Sequence, residues 1–378
     1  MKAVTYQGAH SIEVKEVADP RIERPDDIIV RLTASGICGS DLHLVHGMVP
    51  DLPKDFVIGH EPLGIVEEVG PEVTRVKKGD RVVIPFSVSC GECFYCRNGL
   101  ESQCDNSNEN AEIGAYFGFS DKGGGYPGAQ AEYLRVPYGN YLPFRIPDDC
   151  ELTDEQLVMI ADVLTTSYWS AENAGVMPGD TVIVLGCGPI GLVTQKICWL
   201  MGAKRVIAVE PVGYRLEHAR RTNNVETVAF ESPKETGKLL KEMTRGGADI
   251  VIDCVGMEGK MTPVEYVETM LKMQGGSLGA LITAAQAVRK GGLIQVTGLY
   301  GMRYNGFPYG EIYSRNITMK GGLAPVVHYM PVVYNLMKQG RLDPSDIVTH
   351  VMPLSEAKQG YEIFAQRKQH CIKVILRP

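Results

Sequence analysis

The stretch "DTVIVLGCGPIGLVTQKICWLMGAKRVIAVE", residues 180–210, constrains the fold more than any other part of the chain. An apolar run from Val182 to Leu185 leads into Gly186, Gly188 and Gly191, and a second apolar run ends at Glu210. Strand, glycine turn, helix and strand in that order demand a parallel sheet, because the helical crossover returns the chain to the same end of the sheet. The three glycines have separate uses: a tight turn, close approach of the backbone to a pyrophosphate, and close packing of helix on strand. The helix start at Pro189 and Ile190 offers unpaired N–H groups and the positive dipole end to a phosphate. Glu210, 19 residues beyond Gly191, suits the two ribose hydroxyls of an adenosine and repels a 2′-phosphate, which favours NAD over NADP. Arg215, close behind it, is the side chain that would serve such a phosphate. The later runs "ADIVIDCVG" and "GGLIQVTGLYG" read as further strands buried on both faces.

A chain of 378 residues exceeds what one core usually supports, so a second domain is expected. Its most telling segment is "CGECFYCRNGLESQC", in which Cys90, Cys93, Cys96 and Cys104 follow the pattern C-x2-C-x2-C-x7-C. Four thiolates on one short loop close a tetrahedral site and point to a structural zinc, whose binding energy becomes folding energy. The spacing alone leaves a disulfide pair, four unrelated thiols or an iron–sulfur cluster open. A net charge of -7 argues against a nucleic-acid partner, which needs clustered Lys and Arg. The N-terminal "MKAVTYQGAHSIEVKEV" has no apolar signal-like core, and the longest uncharged run, "TVIVLGCGPIGLVTQ", is too short and broken for a membrane span. A cytoplasmic protein without a membrane partner is expected.

Upstream, "GICGSDLHLVHG" and "VIGHEPLGIVEEVG" place Cys38 and His60 22 residues apart, each beside a glycine. Alone, either reads as an ordinary core residue. With "GHE" followed by "GIVEEVG" and "VKKGDRVV", the pattern resembles that of the zinc-dependent medium-chain alcohol dehydrogenases. The likeness runs the length of the chain and includes the cysteine loop and the glycine turn. The matching segment for a third ligand, "MIADVLTTSYWSA", carries Asp162 where cysteine is often found. That departure, with "GGGYPGAQAEYLRVPYGN", is similar to the branch of glutathione-independent formaldehyde dehydrogenases and formaldehyde dismutases.

The resemblance implies an α/β architecture: a GroES-like, β-rich catalytic domain at 1–160 and 322–378, and a Rossmann, doubly wound coenzyme domain at 161–321. It implies two zinc ions per chain, a catalytic one on Cys38, His60 and Asp162 and a structural one on the four-cysteine loop, together with NAD. The implied reaction moves a hydride between a small alcohol or aldehyde hydrate and NAD. Alternatives on the same scaffold are an aldehyde dismutase that retains NAD, a polyol or amino-alcohol dehydrogenase, and a zinc protein without turnover. Glu61 is an alternative zinc ligand or a carboxylate paired with a nearby cation; Asp41 is an acceptor for the His60 imidazole. Ser40 and His43 match a proton relay that ends at an imidazole near solvent. Thr166, Val296 and Leu299 are expected near the nicotinamide, Phe86 and Leu299 at the substrate, and Lys373 at a cofactor phosphate or exposed. The stretch between Gly256 and Gly291 is expected to cover the adenosine end. A homodimer or homotetramer is implied, pairing through the sheet edge of the coenzyme domain.

Overall fold

The computed structural model describes residues 1–49, 52–108, 113–259, 265, 276–301 and 304–378. The chain divides into two compact units, Met1–Thr165 with Ala324–Pro378, and Thr166–Leu323. The divisions expected from the sequence are 160/161 and 321/322.

The first unit is built on a seven-stranded sheet. Its path runs Val348–Pro353, Lys373–Arg377, Ile28–Ile37, Glu61–Val69, Arg81–Val83 and Phe144–Arg145, and Tyr133–Val136 also pairs with Ile28–Ile37. Only the two C-terminal strands are parallel; the other pairs are antiparallel. Ile28–Ile37 carries buried residues on both faces, as a central strand must. One face packs Ile28, Val30, Leu32, Val66, Val82 and Phe117 into a core. Another core gathers Ile37, Leu42, Tyr361, Phe364 and Val374, so the C-terminal return is sewn into the N-terminal half by burial.

In the second unit, six strands are all parallel, in the spatial order Glu226–Ala229, Arg205–Glu210, Thr181–Leu185, Ala248–Asp253, Val288–Val296 and Thr318–Gly321. The order reverses between Thr181–Leu185 and Ala248–Asp253, the switch point where doubly wound sheets bind ligands. Gly186 follows at a φ of +95°, a conformation costly for any side chain. The helix Pro189–Leu200 begins with Gly188 as its N-cap and no side-chain cap. A Cβ at Gly191 would overlap the carbonyl oxygen of Gly186, so helix and turn approach as closely as glycine allows. Of the stretch between Gly256 and Gly291, Gly279–Ala287 forms a helix, while 260–264 and 266–275 lie outside the described residues. The expectation for that stretch therefore falls partly outside them.

Candidate active site

The register of two strands creates the first cluster. Gly36 pairs with Glu61 where Ile28–Ile37 ends and Glu61–Val69 begins, so Cys38 and His60 emerge side by side despite their separation in sequence. Cys38 is also the N-cap of the helix Gly39–Val45. Asp162 arrives after a single 3-10 turn, Val158–Ala161, whose last carbonyl accepts from the Phe86 N–H. Cys38 Sγ lies 3.4 Å from Asp162 Oδ2, and His60 Nε2 lies 3.7 Å from the same oxygen. One donor atom each from Cys38, His60, Glu61 and Asp162 falls within 4.8 Å of all the others. Zinc–ligand bonds of about 2.0 to 2.3 Å in a tetrahedral array set neighbouring donors about 3.5 Å apart, so these separations fit a zinc ion.

Charge supports the same reading. Burial works against an imidazolium at His60, yet Asp41 and Asp162 outweigh it and push the ring well above its ordinary range. Burial and then the Asp162 charge push the Cys38 thiol up. Burial likewise raises Glu61 despite Lys373. A divalent cation among these groups reverses each direction, favouring thiolate, neutral imidazole and carboxylate.

Around the cluster, Asp41 is fully buried; its Oδ2 accepts from the Cys38 N–H at 3.0 Å and its Oδ1 stands 3.0 Å from His60 Nδ1, a close but bent approach. Ser40 Oγ lies 3.3 Å from His60 Nε2. His43, expected near solvent, is instead 5% exposed, because the helix Gly39–Val45 turns that face inward beside Leu42 and Leu44. Glu61 meets a cation: Lys373 Nζ reaches its Oε1 at 2.5 Å, both side chains fully enclosed. Lys373 is thus neither exposed nor offered to a phosphate here, since a buried ammonium requires a carboxylate. Phe86 stands edge-on to His60 with ring centroids 6.3 Å apart, and Tyr116 follows at 6.2 Å from Phe86.

The four loop cysteines form the second cluster, with Cys90–Cys96 and Cys93–Cys104 sulfurs 3.9 Å apart. A disulfide requires about 2.05 Å, and all ten cysteines are free. Backbone N–H groups of Cys90, Glu92, Cys93 and Cys96 point at sulfurs, and so does the Asn106 amide. That pattern suits four thiolates round one cation.

In the second unit the Glu210 carboxylate, 5% exposed, accepts from the Cys187 N–H at 2.8 Å and the Val212 N–H at 3.2 Å. It therefore braces the glycine turn from the end of the neighbouring strand. Arg215 is buried in the helix Gly213–Asn223, with a guanidinium near Gly188 and an Nε that has no hydrogen-bond partner. Thr166 is half-buried, and the Ser167 hydroxyl donates to the Ile190 carbonyl at 3.0 Å. Val296 ends its strand half-buried, and the Leu299 carbonyl accepts from the Met257 N–H. Sequence reasoning missed Gln130 and Tyr361, which stand behind Asp41, and Tyr300, whose hydroxyl donates to the buried Asp253 at 2.6 Å. The only signal for Gln130 was its place in "GAQAEY", between two small residues of a segment already singled out.

The chain is similar to known proteins in both units. Residues 24–148 match the alcohol dehydrogenase GroES-like domain, and residues 189–264 match the zinc-binding dehydrogenase domain. The chain is 62% identical over its whole length to an uncharacterized zinc-type alcohol dehydrogenase-like protein, AdhB, of Bacillus subtilis (strain 168), also covered in full. It is 29% identical to a glutathione-independent formaldehyde dehydrogenase of Pseudomonas aeruginosa, over 96% of this chain and 94% of that one. Among solved structures, alcohol dehydrogenase TADH from Thermus sp. ATN1 superposes with a TM-score of 0.83 at 33% identity, over 100% of this chain and 99% of the other. The first unit is accordingly GroES-like and the second a Rossmann unit. With both folds and both donor clusters in hand, the chain belongs to the zinc-type medium-chain alcohol dehydrogenase family of oxidoreductases.

Proposed function

We propose that this oxidoreductase moves a hydride between a small alcohol or aldehyde hydrate and NAD, with Cys38, His60 and Asp162 holding a catalytic zinc. The observation that carries the reading is the convergence of a thiol, an imidazole and a carboxylate from three separate segments on one point. Zinc held there supplies Lewis-acid polarisation of a substrate oxygen, and NAD supplies the hydride acceptor.

The chain's own residues do the rest. Asp41 orients the His60 ring so that Nε2, rather than Nδ1, faces Cys38 and Asp162. Ser40, within reach of the same centre, takes the proton released from an alcohol, and His43 carries it onward. Glu61, locked on Lys373 through one oxygen, keeps the other free as a reserve donor toward the cluster. Phe86 walls the site with an apolar ring and excludes water on that side. In the second unit, Gly186, Gly188, Pro189, Ile190 and Gly191 present backbone N–H groups to a pyrophosphate, and Glu210 receives the adenosine ribose beside Arg215. Thr166, Val296 and Leu299 contact the nicotinamide end. Cys90, Cys93, Cys96 and Cys104 hold a structural zinc.

The finer assignments follow. The units Met1–Thr165 with Ala324–Pro378 and Thr166–Leu323 serve as catalytic and coenzyme domains. A second copy of the chain pairs along Thr318–Gly321, the outer strand of the parallel sheet, exposed at all four residues beside Tyr309 and Tyr313. Ten free thiols suit a reducing, cytoplasmic compartment; no described helix is long and apolar enough to cross a membrane. The test is metal analysis of purified protein with a panel of small alcohols and aldehydes assayed with and without added NAD. Two zincs per chain and NADH formed from an alcohol or aldehyde support the proposal. One zinc, or no NADH with any member of the panel, refutes it, and aldehyde turnover without added NAD assigns dismutation instead.

A further inference from the structure

Behind the first cluster runs a buried hydrogen-bond chain that none of the assigned roles uses. Gln130, fully buried, donates from Nε2 to Asp41 Oδ2 at 3.1 Å and to the Gly36 carbonyl at 3.3 Å. Its Oε1 accepts from the Tyr361 hydroxyl at 2.8 Å. Tyr361, 4% exposed, lies on the helix Ala357–Ala365 and packs in the core that contains Ile37 and Leu42. Three of the amide's four hydrogen-bonding positions are filled, and the filling has a sense. The Asp41 carboxylate and the Gly36 carbonyl, both acceptors only, draw the N–H side toward them; with the amide turned over, its oxygen would face theirs in a buried site, and the Tyr361 hydroxyl is left to donate to Oε1.

Backbone packing holds the same residue in place. The Gln130 N–H donates to Ile58 O at 3.0 Å and the Ala129 N–H to Gly59 O at 2.8 Å, so this segment lies along the one that delivers His60. Gly59 has a φ of +94°, and a Cβ there would overlap Gln130 Cγ. Gln130 thus touches the residue before one ligand, the carbonyl two residues before another, and the carboxylate that faces both.

We propose that Gln130, anchored by Tyr361, is a positioning residue for the catalytic metal, fixing Asp41 and through it the directions of Cys38 and His60. The inference rests on the reading of Cys38, His60 and Asp162 as a zinc site. It assigns the C-terminal return helix a part in metal retention across 231 residues of sequence. Asp41 has two tasks, one oxygen on the Cys38 N–H and one toward His60. Without the Gln130 donor only the Cys38 N–H holds its Oδ2, and its Oδ1 is freer to swing away from the His60 ring.

The test compares wild type with Gln130→Met, which keeps length and removes polarity, and Tyr361→Phe, which removes one hydroxyl. Wild type is expected to hold two zincs. Gln130→Met should bind the second, non-cysteine-loop zinc about 10- to 100-fold more weakly, as for other partners of metal ligands. Tyr361→Phe should fall between the two. The cysteine-loop zinc should stay in both variants, an internal control for folding. Cobalt substituted at the weakened site should show a shifted visible spectrum, and kcat should fall while KM for NAD holds. If wild type binds two zincs and both variants release the second at the wild-type rate to a chromogenic chelator, with an unchanged cobalt spectrum, the inference is overturned. A wild type that binds only one zinc overturns the metal-site reading itself, and the inference with it. Should Gln130→Met fail to fold, Tyr361→Phe alone decides between these outcomes.

Discussion

Replacing Lys373 by methionine tests the tightest electrostatic commitment in the first unit. Lys373 and Glu61 are both fully enclosed, 2.5 Å apart, and join residues 312 apart in sequence. Burial alone would drive the lysine toward neutrality, but the Glu61 charge outweighs it and raises its pKa. At that distance the attraction is about 7 kcal/mol for an effective dielectric of about 20, and the desolvation of two ions offsets most of it. Removing one partner is another matter. Lys373→Met strands a carboxylate whose second oxygen has no hydrogen bond, and such deletions cost about 3 to 5 kcal/mol. With a urea m-value of about 2 kcal/mol/M, the midpoint of the first unit should fall by about 1.5 to 2.5 M. Trp169 and Trp199 both lie in the second unit, so tryptophan fluorescence would miss the event. Hydrogen exchange of peptides covering Glu61–Val69 and Lys373–Arg377 reports it directly. The double variant Glu61→Gln, Lys373→Met should recover most of the loss. A single variant within about 0.3 M of wild type, or a double variant no better than the single, would refute the reasoning.

Asp162→Ala should leave one zinc per chain and lower kcat at least about 1,000-fold, checked by metal analysis and steady-state kinetics. Cys104→Ser opens the tetrahedral loop site; zinc content should drop by one and protease cleavage should rise within residues 90–108, read by mass spectrometry. Gly191→Ala forces a methyl onto the Gly186 carbonyl and should weaken NAD binding about 10-fold or more, measured by calorimetry. Acid should loosen the second unit at Asp249: burial opposes its charge, but the Thr181 N–H and Arg289 outweigh it and hold its carboxyl below the ordinary range. A depressed carboxylate contributes stability above its unfolded pKa of about 3.9 and loses it as pH falls through the lower folded value, so Asp249→Asn should flatten the acid limb of a melting curve followed by tryptophan fluorescence.

What the sequence made legible was whatever chemistry compresses into a short span. The glycine turn at 186–191 and the cysteine loop at 90–104 each announce themselves because one local backbone shape needs those residue types at those intervals. Cys38 and His60 are separated by the helix Gly39–Val45 and a long connection, and only their family pattern tied them together. Glu61 left a choice between ligand and ion-pair partner, and the partner turned out to be Lys373, far away at the C-terminus. His43 was expected toward solvent because the proton relay that it matches ends there; the packing beside Leu42 and Leu44 turned it inward. Tyr361 carried no readable signal and Gln130 only its place between two alanines, since a hydrogen bond across 231 residues leaves no periodicity and either residue alone resembles a core-filling side chain.

The cysteine loop also ties the fate of the polypeptide to metal supply. A newly made chain without zinc lacks the cation that joins those four sulfurs, which leaves residues 90–104 more open to proteases and to oxidants. Cells short of the ion should therefore clear the enzyme rather than store it idle, so that its abundance rises and falls with zinc nutrition.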